Sequence, residues 1–204
     1  NEPKLPELPA LPDPDDVCSA MDDLNFMAFC YEKFDVNKDG KVSVTEANAA
    51  KEIYTTSSKW VSVKGIERFP NIEILSLNGS SITELDLRYN LKLKSISGYS
   101  SLLTTVLLPN TLTSIEKSAF KECASLIEIH FPASLTSIGE YAFSGCSSLT
   151  EIHLPANLTS IGRSTFSGCS SLTEINLPNN LTSIGVSAFY GCSSLTEIIF
   201  SDNL

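Results

Sequence analysis

Apolar residues recur along the second half of the chain in one pattern that repeats every 23 residues. Four full copies run through 108–199, and a fifth begins at 200. Each copy opens with an apolar residue and a proline, and it carries a phenylalanine and a cysteine at fixed places. The prolines are Pro109, Pro132, Pro155 and Pro178, and the phenylalanines are Phe120, Phe143, Phe166 and Phe189. A fixed period in the twenties is typical of a solenoid, in which each coil buries its apolar residues against its neighbours.

One copy shows how the residues of a coil are used. In 149–154 apolar and polar residues alternate, which predicts a strand with its leucines and isoleucine inside and its glutamate and histidine outside. Residues 158–161 predict a second extended piece, after which Gly162 allows a bend. The next segment, 164–169, is too short for a regular helix. It predicts a single turn that inserts its phenylalanine into the core and closes at Gly168.

A shorter form of the pattern precedes these copies. Apolar segments beginning at Ile72 and Ile82 recur 21 residues later. We therefore predict a β-rich solenoid of the α/β type, a right-handed leucine-rich-repeat superhelix with a parallel β-sheet face. Residues 63–107 hold its short repeats, and residues 108–204 hold its 23-residue repeats.

Residues 35–46 carry the strongest chemical signal in the chain. Their sequence, DVNKDGKVSVTE, matches the pattern D-x-[DN]-x-[DN]-G-x5-E of an EF-hand calcium loop. Apolar residues upstream recur at helical spacing: Met21, Leu24, Ala28, Tyr31 and Phe34. Downstream, 45–54 predicts the helix that leaves the loop. Residues 17–62 are therefore predicted to form a small helical, EF-hand-like cap.

The chemistry of this loop suits Ca²⁺, which prefers oxygen ligands. The candidate ligands are Asp35, Asn37, Asp39, Lys41 through its carbonyl, Ser43 through a water, and Glu46. Gly40 allows the sharp turn between them. We predict a structural calcium site. The alternatives are a metal-free loop held by Asx-type hydrogen bonds and a signalling switch that opens on binding.

EF-hand loops usually pair through the residue at their eighth position, here Val42, but the sequence contains no second loop. Something else must cover Val42. The first leucine-rich coil is the simplest candidate, because a solenoid needs its open end sealed. Trp60 and the residues after it are expected to pack the exiting helix onto that coil.

Residues 1–16 contain a proline at every third position from Pro3 to Pro12. This spacing favours an extended, polyproline-like tether over packed structure. The alternative is a proline-rich ligand for a groove-bearing domain, although acidic residues fill the gaps instead of aromatic residues or arginines.

The six cysteines fall into two groups. Cys123, Cys146, Cys169 and Cys192 stand 23 residues apart. We predict that these four stack as buried thiols, since parallel stacking gives poor disulfide geometry and a line of sulfurs cannot surround zinc. Cys18 and Cys30 lie outside the repeat and form a candidate disulfide. Such a bridge requires the helix to start after Cys18, for example with Ser19 or Asp22 as its N-cap.

Exposed strand positions fall into two rows if the coils stack in register. One row holds Thr105, Glu128, Glu151, Glu174 and Glu197; the other holds Leu107, His130, His153, Asn176 and Ile199. Opposed carboxylates repel one another by roughly tenths of a kcal/mol per pair. Either water and the neighbouring side chains screen this repulsion, or the face attracts cations or a basic partner. The second interpretation makes a candidate partner-binding surface of Glu128, His130, Glu151, His153, Glu174, Asn176 and Glu197.

Composition narrows the function further. The formal charge of −10 argues against a nucleic-acid partner, which needs basic patches. No apolar run approaches the ~18 residues that a transmembrane segment needs. The chain has no Gly-rich phosphate loop or nucleophile elbow, so we expect no catalytic activity.

The units LTSIGEYAFSGCSSLTEIHLP and LTSIGRSTFSGCSSLTEINLP resemble the BspA-like, or treponemal-type, leucine-rich-repeat surface proteins of bacteria. The segment FDVNKDGKVSVTEA resembles the EF-hand-like caps found in front of such arrays. The resemblance implies export, often with a lipid or cell-wall anchor, and binding to host matrix proteins or other cells. It implies no catalytic residues.

The sequence therefore predicts an exported or cell-surface, adhesion-type protein-interaction module with calcium in its cap. Its partner would be a protein, such as one of the host extracellular matrix or of another cell surface. The alternatives are a structural spacer or display stalk at the cell surface and an inhibitor of a secreted enzyme.

Overall fold

The computed structural model describes residues 4–55, 59–98, 100 and 102–200. Two short α-helices stand near the N-terminus: α1, Leu24–Phe34, and α2, Val44–Ala49. Two 3-10 turns, Val17–Ala20 and Ile66–Arg68, flank this helical region. The rest of the described chain winds through short strands and turns.

The strands have two or three residues each. In chain order they are β1 (Glu52–Tyr54), β2 (Ile74–Ser76), β3 (Glu84–Asp86), β4 (Ser95–Ser97), β5 (Thr105–Leu107), β6 (Ser114–Ile115), β7 (Glu128–His130), β8 (Ser137–Ile138), β9 (Glu151–His153), β10 (Ser160–Ile161), β11 (Glu174–Asn176) and β12 (Ser183–Ile184). They form three parallel sheets, in the orders β1-β2-β4, β3-β5-β7-β9-β11 and β6-β8-β10-β12. Successive coils thus supply successive strands, and the predicted parallel solenoid is confirmed.

Equivalent residues of neighbouring coils lie opposite one another. In the five-stranded sheet Val106 pairs with Ile129, and Ile152 pairs with Ile175. The repeated phenylalanines stack face to face, with ring centroids 5.4, 5.6 and 5.7 Å apart along the series from Phe120 to Phe189. The core is therefore one continuous column, as each coil completes the packing of the next.

The glycines at one position of the last three copies, Gly139, Gly162 and Gly185, let the coils approach one another. A Cβ atom at Gly162 would lie 2.6 Å from the backbone nitrogen of Glu140 in the preceding coil. The same atom at Gly139 would lie 2.8 Å from the backbone nitrogen of Lys117. Glycine is thus required here because the backbones of neighbouring coils are in close contact, in addition to allowing the expected bend. Gly168 differs, since its φ of +77° is the left-handed conformation of a turn that closes.

The cysteines of the repeat are buried thiols, as predicted. Each sulfur donates to a backbone carbonyl of the coil before it. Cys146 Sγ lies 3.2 Å from the Phe120 oxygen, and Cys169 Sγ lies 3.3 Å from the Phe143 oxygen. The thiols therefore act as small core residues that also satisfy carbonyls between coils.

The exiting helix of the cap is shorter than the predicted 45–54. It ends at Ala49, and Glu52–Tyr54 is already the first strand of a sheet, with Ile53 buried opposite Leu75. The solenoid thus begins before residue 63, because the burial of Ile53 on the first coil outweighs continuation of the helix.

The cap joins the solenoid through both helices, since the Asn71 amide also donates to the Asn48 carbonyl of α2 at 3.0 Å. Trp60 packs against Phe26 and Phe29, with ring centroids 4.9 and 5.1 Å away, which corrects the expected contact with the exiting helix. Asp23, the N-cap of α1, strengthens the joint. Its Oδ1 accepts hydrogen bonds from the first turn of α1, and its Oδ2 accepts one from the Val61 N–H at 2.6 Å. Although burial opposes it, these bonds lower the pKa of Asp23.

Val42 is buried, and its backbone is paired with the N-terminal segment. Its N–H donates to Asp16 Oδ1 at 3.1 Å, and its carbonyl accepts from the Val17 N–H at 2.9 Å. The backbone partner that a second EF-hand loop would supply is therefore the segment at 16–17, and not the first coil. This side of the calcium-type loop is completed by residues that the sequence assigned to the tether and to the start of the cap.

The prediction of an unpacked tether needs one correction within the described residues 4–16. This segment has no regular secondary structure, it turns at 14–15, and it lies against the solenoid. The Tyr89 hydroxyl donates to the Pro6 carbonyl at 2.9 Å, and Leu11 packs against the core. Prolines at every third position fit an extended chain in either place, so their spacing could not reveal the contact.

Candidate interaction surface and calcium loop

The two predicted rows of exposed side chains exist on the five-stranded sheet. In the first, Thr105 lies opposite Glu128 and Glu151 opposite Glu174. In the second, the register pairs Leu107 with His130, His130 with His153, His153 with Asn176, and Asn176 with Ile199. We call these the glutamate row and the histidine row. Glu197 is exposed but lies outside the strands, so it is not placed in the glutamate row.

Sequence reasoning missed two acidic members of these rows. Glu84 lies opposite Thr105, and Asp86 lies opposite Leu107, so β3 extends both rows toward the cap. The 21-residue spacing between Glu84 and Thr105 was the available signal. Asp86 holds the Arg88 guanidinium at 2.7 Å; burial opposes ionisation of Asp86, but the bonds from Arg88 lower its pKa.

Two members of the glutamate row have polar partners within the described chain. His130 Nε2 lies 2.9 Å from Glu128 Oε1, and the Asn176 amide donates to Glu174 Oε1 at 2.8 Å. Glu151 is exposed between them, and no ion pair to it is found among the described residues. The face is therefore acidic, open to solvent and unevenly screened.

The calcium-type loop has the turn that its sequence predicts. The carboxylate of Asp35 is mostly buried and accepts from the N–H groups of Asp39 and Gly40, at 3.2 and 3.1 Å. The side chains of Asn37 and Asp39 accept from backbone N–H groups two residues on, at 3.0 and 2.9 Å. Gly40 has a φ of +85°, which fits the sharp turn. Asx-type hydrogen bonds thus hold the loop in shape.

Glu46 folds back over the start of this loop. Its Oε1 accepts from the Val36 N–H at 2.9 Å, and its Oε2 accepts from the Ser43 N–H at 2.9 Å, which completes a capping box on α2. The hydrogen bonds to Ser43, the largest cause, lower the pKa of Glu46 to about 2. Ser43 is therefore the N-cap of α2 as well as a candidate calcium ligand.

The donor set of the loop fits Ca²⁺ in its chemistry, since it consists of carboxylate, amide and carbonyl oxygens. However, no three His, Cys, Asp or Glu side chains converge on a common metal position anywhere in the described ranges. The loop brings its ligands onto one turn of chain, with Lys41 Nζ directed to Asp13 at 2.9 Å. The calcium site remains a prediction.

Cys18 and Cys30 are both buried and are free thiols in this structure. Burial is the main cause that raises the pKa of Cys30, and a hydrogen bond with the nearby Cys18 thiol raises it further. The helix begins at Leu24 with Asp23 as its N-cap, so it starts after Cys18 as a bridge would require. The bridge itself remains a prediction.

The repeat thiols are unsuited to nucleophilic chemistry. Burial raises the pKa of Cys123 to about 11 and that of Cys169 to about 12, so neither forms a thiolate near neutral pH. The fold is typical of non-catalytic protein-interaction scaffolds.

The stacked parallel coils define a leucine-rich-repeat solenoid. The family described as BspA type leucine rich repeat region matches residues 92–204 as six copies, which is more than half of the chain. The chain therefore belongs to the BspA-type leucine-rich-repeat family. Leucine-rich-repeat proteins are typically protein-interaction modules. A comparison with curated proteins found no match.

Solved structures of bacterial leucine-rich-repeat proteins resemble the chain in part. A leucine-rich-repeat protein of T. pallidum is 32% identical over 59% of this chain and 53% of that chain, with a TM-score of 0.44. One from Bacteroides ovatus is 23% identical over 71% of this chain and 59% of that chain, with a TM-score of 0.36. A leucine-rich cell surface protein of Faecalibacterium prausnitzii is 18% identical over 76% and 68%, with a TM-score of 0.27. The chain spans between half and three fifths of the first two structures.

None of the described helices is long and apolar enough to cross a membrane.

Proposed function

We propose that the chain is an adhesion-type protein-interaction module whose five-stranded sheet binds a basic protein surface. The observation that supports this is the register of the sheet, which sets exposed acidic side chains from several coils side by side. Lateral repulsion between them costs stability, roughly tenths of a kcal/mol per opposed pair. A cationic partner would relieve this repulsion on binding, so the repulsion in the free protein favours such a partner.

The expected partner carries lysine or arginine on a protruding surface. Complementary charge mainly raises the association rate and falls off as salt screens it, over about 10 Å at 0.1 M. The flanking His130 and His153 add hydrogen-bonding groups beside the carboxylates. We expect host extracellular-matrix proteins or proteins of another cell surface to supply such a partner.

Charge reversal tests this surface. The double variant Glu151→Lys/Glu174→Lys should bind an immobilised extracellular-matrix preparation at least ~10-fold more weakly than the unmodified chain, in surface plasmon resonance at low salt. The matched control is Glu52→Lys, which reverses an exposed strand glutamate in the three-stranded sheet.

The outcome also separates the proposal from its alternatives. Binding that survives the double reversal, or that Glu52→Lys reduces equally, would place the partner elsewhere. If the unmodified chain binds nothing in the preparation, a structural spacer becomes the better account.

We further propose that Ca²⁺ stiffens the cap through the loop at 35–46. The prebuilt Asx turns and the position of Glu46 support this, because little rearrangement of the backbone would be needed. Asp35, Asn37, Asp39, Glu46, the Lys41 carbonyl and a water held by Ser43 would supply the ligands. Such a site suits extracellular calcium concentrations, where modules bind with dissociation constants of about 0.1–1 mM.

Thermal unfolding with calcium and with chelator tests the site. Calcium at 100 times its dissociation constant should stabilise the folded chain by about 2.7 kcal/mol. The variant Asp39→Asn should lose most of that gain, whereas Asp22→Asn, an exposed aspartate outside the loop, should keep it. Identical melting curves in calcium and chelator, with no heat of binding in calorimetry, would refute the site.

Export is part of this proposal, as the family resemblance implies. Protease added to intact source cells should then degrade the protein without lysis. Survival of the protein until the cells are lysed would argue against a surface location.

A further inference from the structure

The N-terminal segment presents one regular face to the solenoid. Between residues 4 and 12, Leu5, Leu8 and Leu11 are half-buried, whereas the residues between them are exposed. A period of three residues is that of the polyproline II helix, and the prolines of this segment have the same spacing. The period of burial and the prolines are thus those expected of a polyproline II helix with leucines on its inner face.

The solenoid also recognises the backbone of this segment. The Tyr89 hydroxyl donates to the Pro6 carbonyl at 2.9 Å, and the Arg68 guanidinium donates to the Pro9 carbonyl. The two carbonyls are three residues apart, and the two donors are 21 residues apart, which is one short repeat. Because a polyproline II helix makes no internal hydrogen bonds, its carbonyls are available to such donors. Each of the two coils thus supplies one side-chain donor, and each donor binds one carbonyl in successive three-residue turns of the segment.

The leucines lie along a groove with apolar walls. Leu8 and Leu11 share a cavity of about 300 Å³ with Val17, Pro70 and the Tyr89 ring. Leu5 borders a mainly apolar cavity of about 640 Å³, whose walls include Leu108, Phe131 and Pro132. That second cavity reaches His130 at the margin of the histidine row. The groove therefore continues past Leu5 along the coils.

We propose that this surface, the Tyr89 groove, is a binding site for polyproline II segments in which leucine recurs at every third residue, and that residues 4–12 are its built-in occupant. The Tyr89 groove comprises Arg68, Pro70, Tyr89, Leu108 and Phe131. Two features give it specificity. The spacing of the leucines must match the pockets, and carbonyls one turn apart must face Arg68 and Tyr89.

The covalent connection keeps the groove closed to other segments. A ligand on a short tether has an effective concentration in the millimolar range, so a free segment must compete against it. Displacing the built-in segment would open the groove without changing the coils. This site adjoins the proposed partner surface at His130, but neither proposal depends on the other.

A labelled peptide in trans tests the proposal. The full chain with Leu5→Glu and Leu8→Glu should release its own segment, since charges cannot occupy the leucine pockets. The peptide NEPKLPELPALP should bind this variant at least ~10-fold more tightly than it binds the unmodified chain, by fluorescence anisotropy. Adding Tyr89→Phe to the variant should weaken the peptide by about two- to tenfold, as expected for one hydrogen bond. A control peptide with alanine at both central prolines should bind more weakly.

Two results would overturn the proposal. One is a released variant with an unchanged circular dichroism spectrum that does not bind the peptide. The other is equal binding of the peptide by the released and unmodified chains.

A second measurement avoids any change to the segment. Cleavage by glutamyl endopeptidase after the exposed Glu7, followed by mass spectrometry, should be about two- to tenfold faster in Tyr89→Phe than in the unmodified chain. Equal cleavage rates would show that the Tyr89 hydroxyl does not hold the segment, and would contradict the proposed groove.

Discussion

The contact between coils decides which side chains each repeat position allows. Gly139 and Gly162 occupy one position where the backbone of the preceding coil leaves no room for a Cβ atom. The phenylalanines and cysteines of the repeat fill the column between these contacts, and the thiols also meet carbonyls of the neighbouring coil. Contacts with the neighbouring coil therefore restrict the residue type at each repeat position as much as the local secondary structure does.

Replacing Gly162 by alanine should show this constraint. The new methyl group meets backbone at 2.6 Å, which cannot move aside as a flexible side chain can. We expect a loss of about 3 kcal/mol in the free energy of unfolding, at the upper end of overpacking costs, measured by urea denaturation.

Gly79 provides the matched control. It has a φ of +75°, and no atom lies within 4 Å of the place that an added methyl group would take, so alanine there should cost only about 1 kcal/mol of backbone strain. Similar losses at Gly79 and Gly162 would mean that the coils are not in close contact at Gly162.

The cap shows where an element follows from sequence and where it does not. The twelve-residue loop pattern located the turn, because its glycine and its oxygen-bearing side chains have fixed roles, but the exiting helix is shorter than predicted. The apolar residues at helical spacing do not all face the core, since Leu24 is 73% exposed while Phe26 and Cys30 are buried. Most residues of this helix are apolar, so periodicity alone could not identify its inner face. The packing of Trp60 against the helix determines that face.

Acid should weaken the cap through Glu46. Its pKa in the folded chain is about 2, below its ordinary value of 4.5. A depressed pKa means that Glu46 contributes stability above about pH 4.5 and loses it as the pH falls toward 2. Without calcium, Glu46→Gln should therefore lose less stability than the unmodified chain between pH 6 and pH 3, in urea unfolding followed by Trp60 fluorescence. Equal losses in both proteins would show that the hydrogen bonds to Glu46 contribute nothing.

Across the whole molecule, the repeat made the architecture predictable. Contacts made by residues outside the repeat pattern could not be predicted. A period of 23 residues implies that equivalent positions become neighbours, so the core column and the two exposed rows followed from counting. The docking of residues 4–12 did not follow, because it depends on Arg68 and Tyr89, two different residues that stand one short repeat apart. The start of the solenoid at Glu52 did not follow either, because β1 lies outside the regular pattern.

The measurement that tests the account most directly is one substitution read in two assays. Glu151→Gln removes the central carboxylate of the glutamate row, which lies opposite Glu174. Relief of the repulsion should raise the free energy of unfolding by a few tenths of a kcal/mol, roughly the cost of opposed like charges. Binding to the extracellular-matrix preparation should fall in the same protein. A variant that is no more stable, or that binds as well as the unmodified chain, would contradict the claim that the acidic row is kept for binding at a cost to the fold.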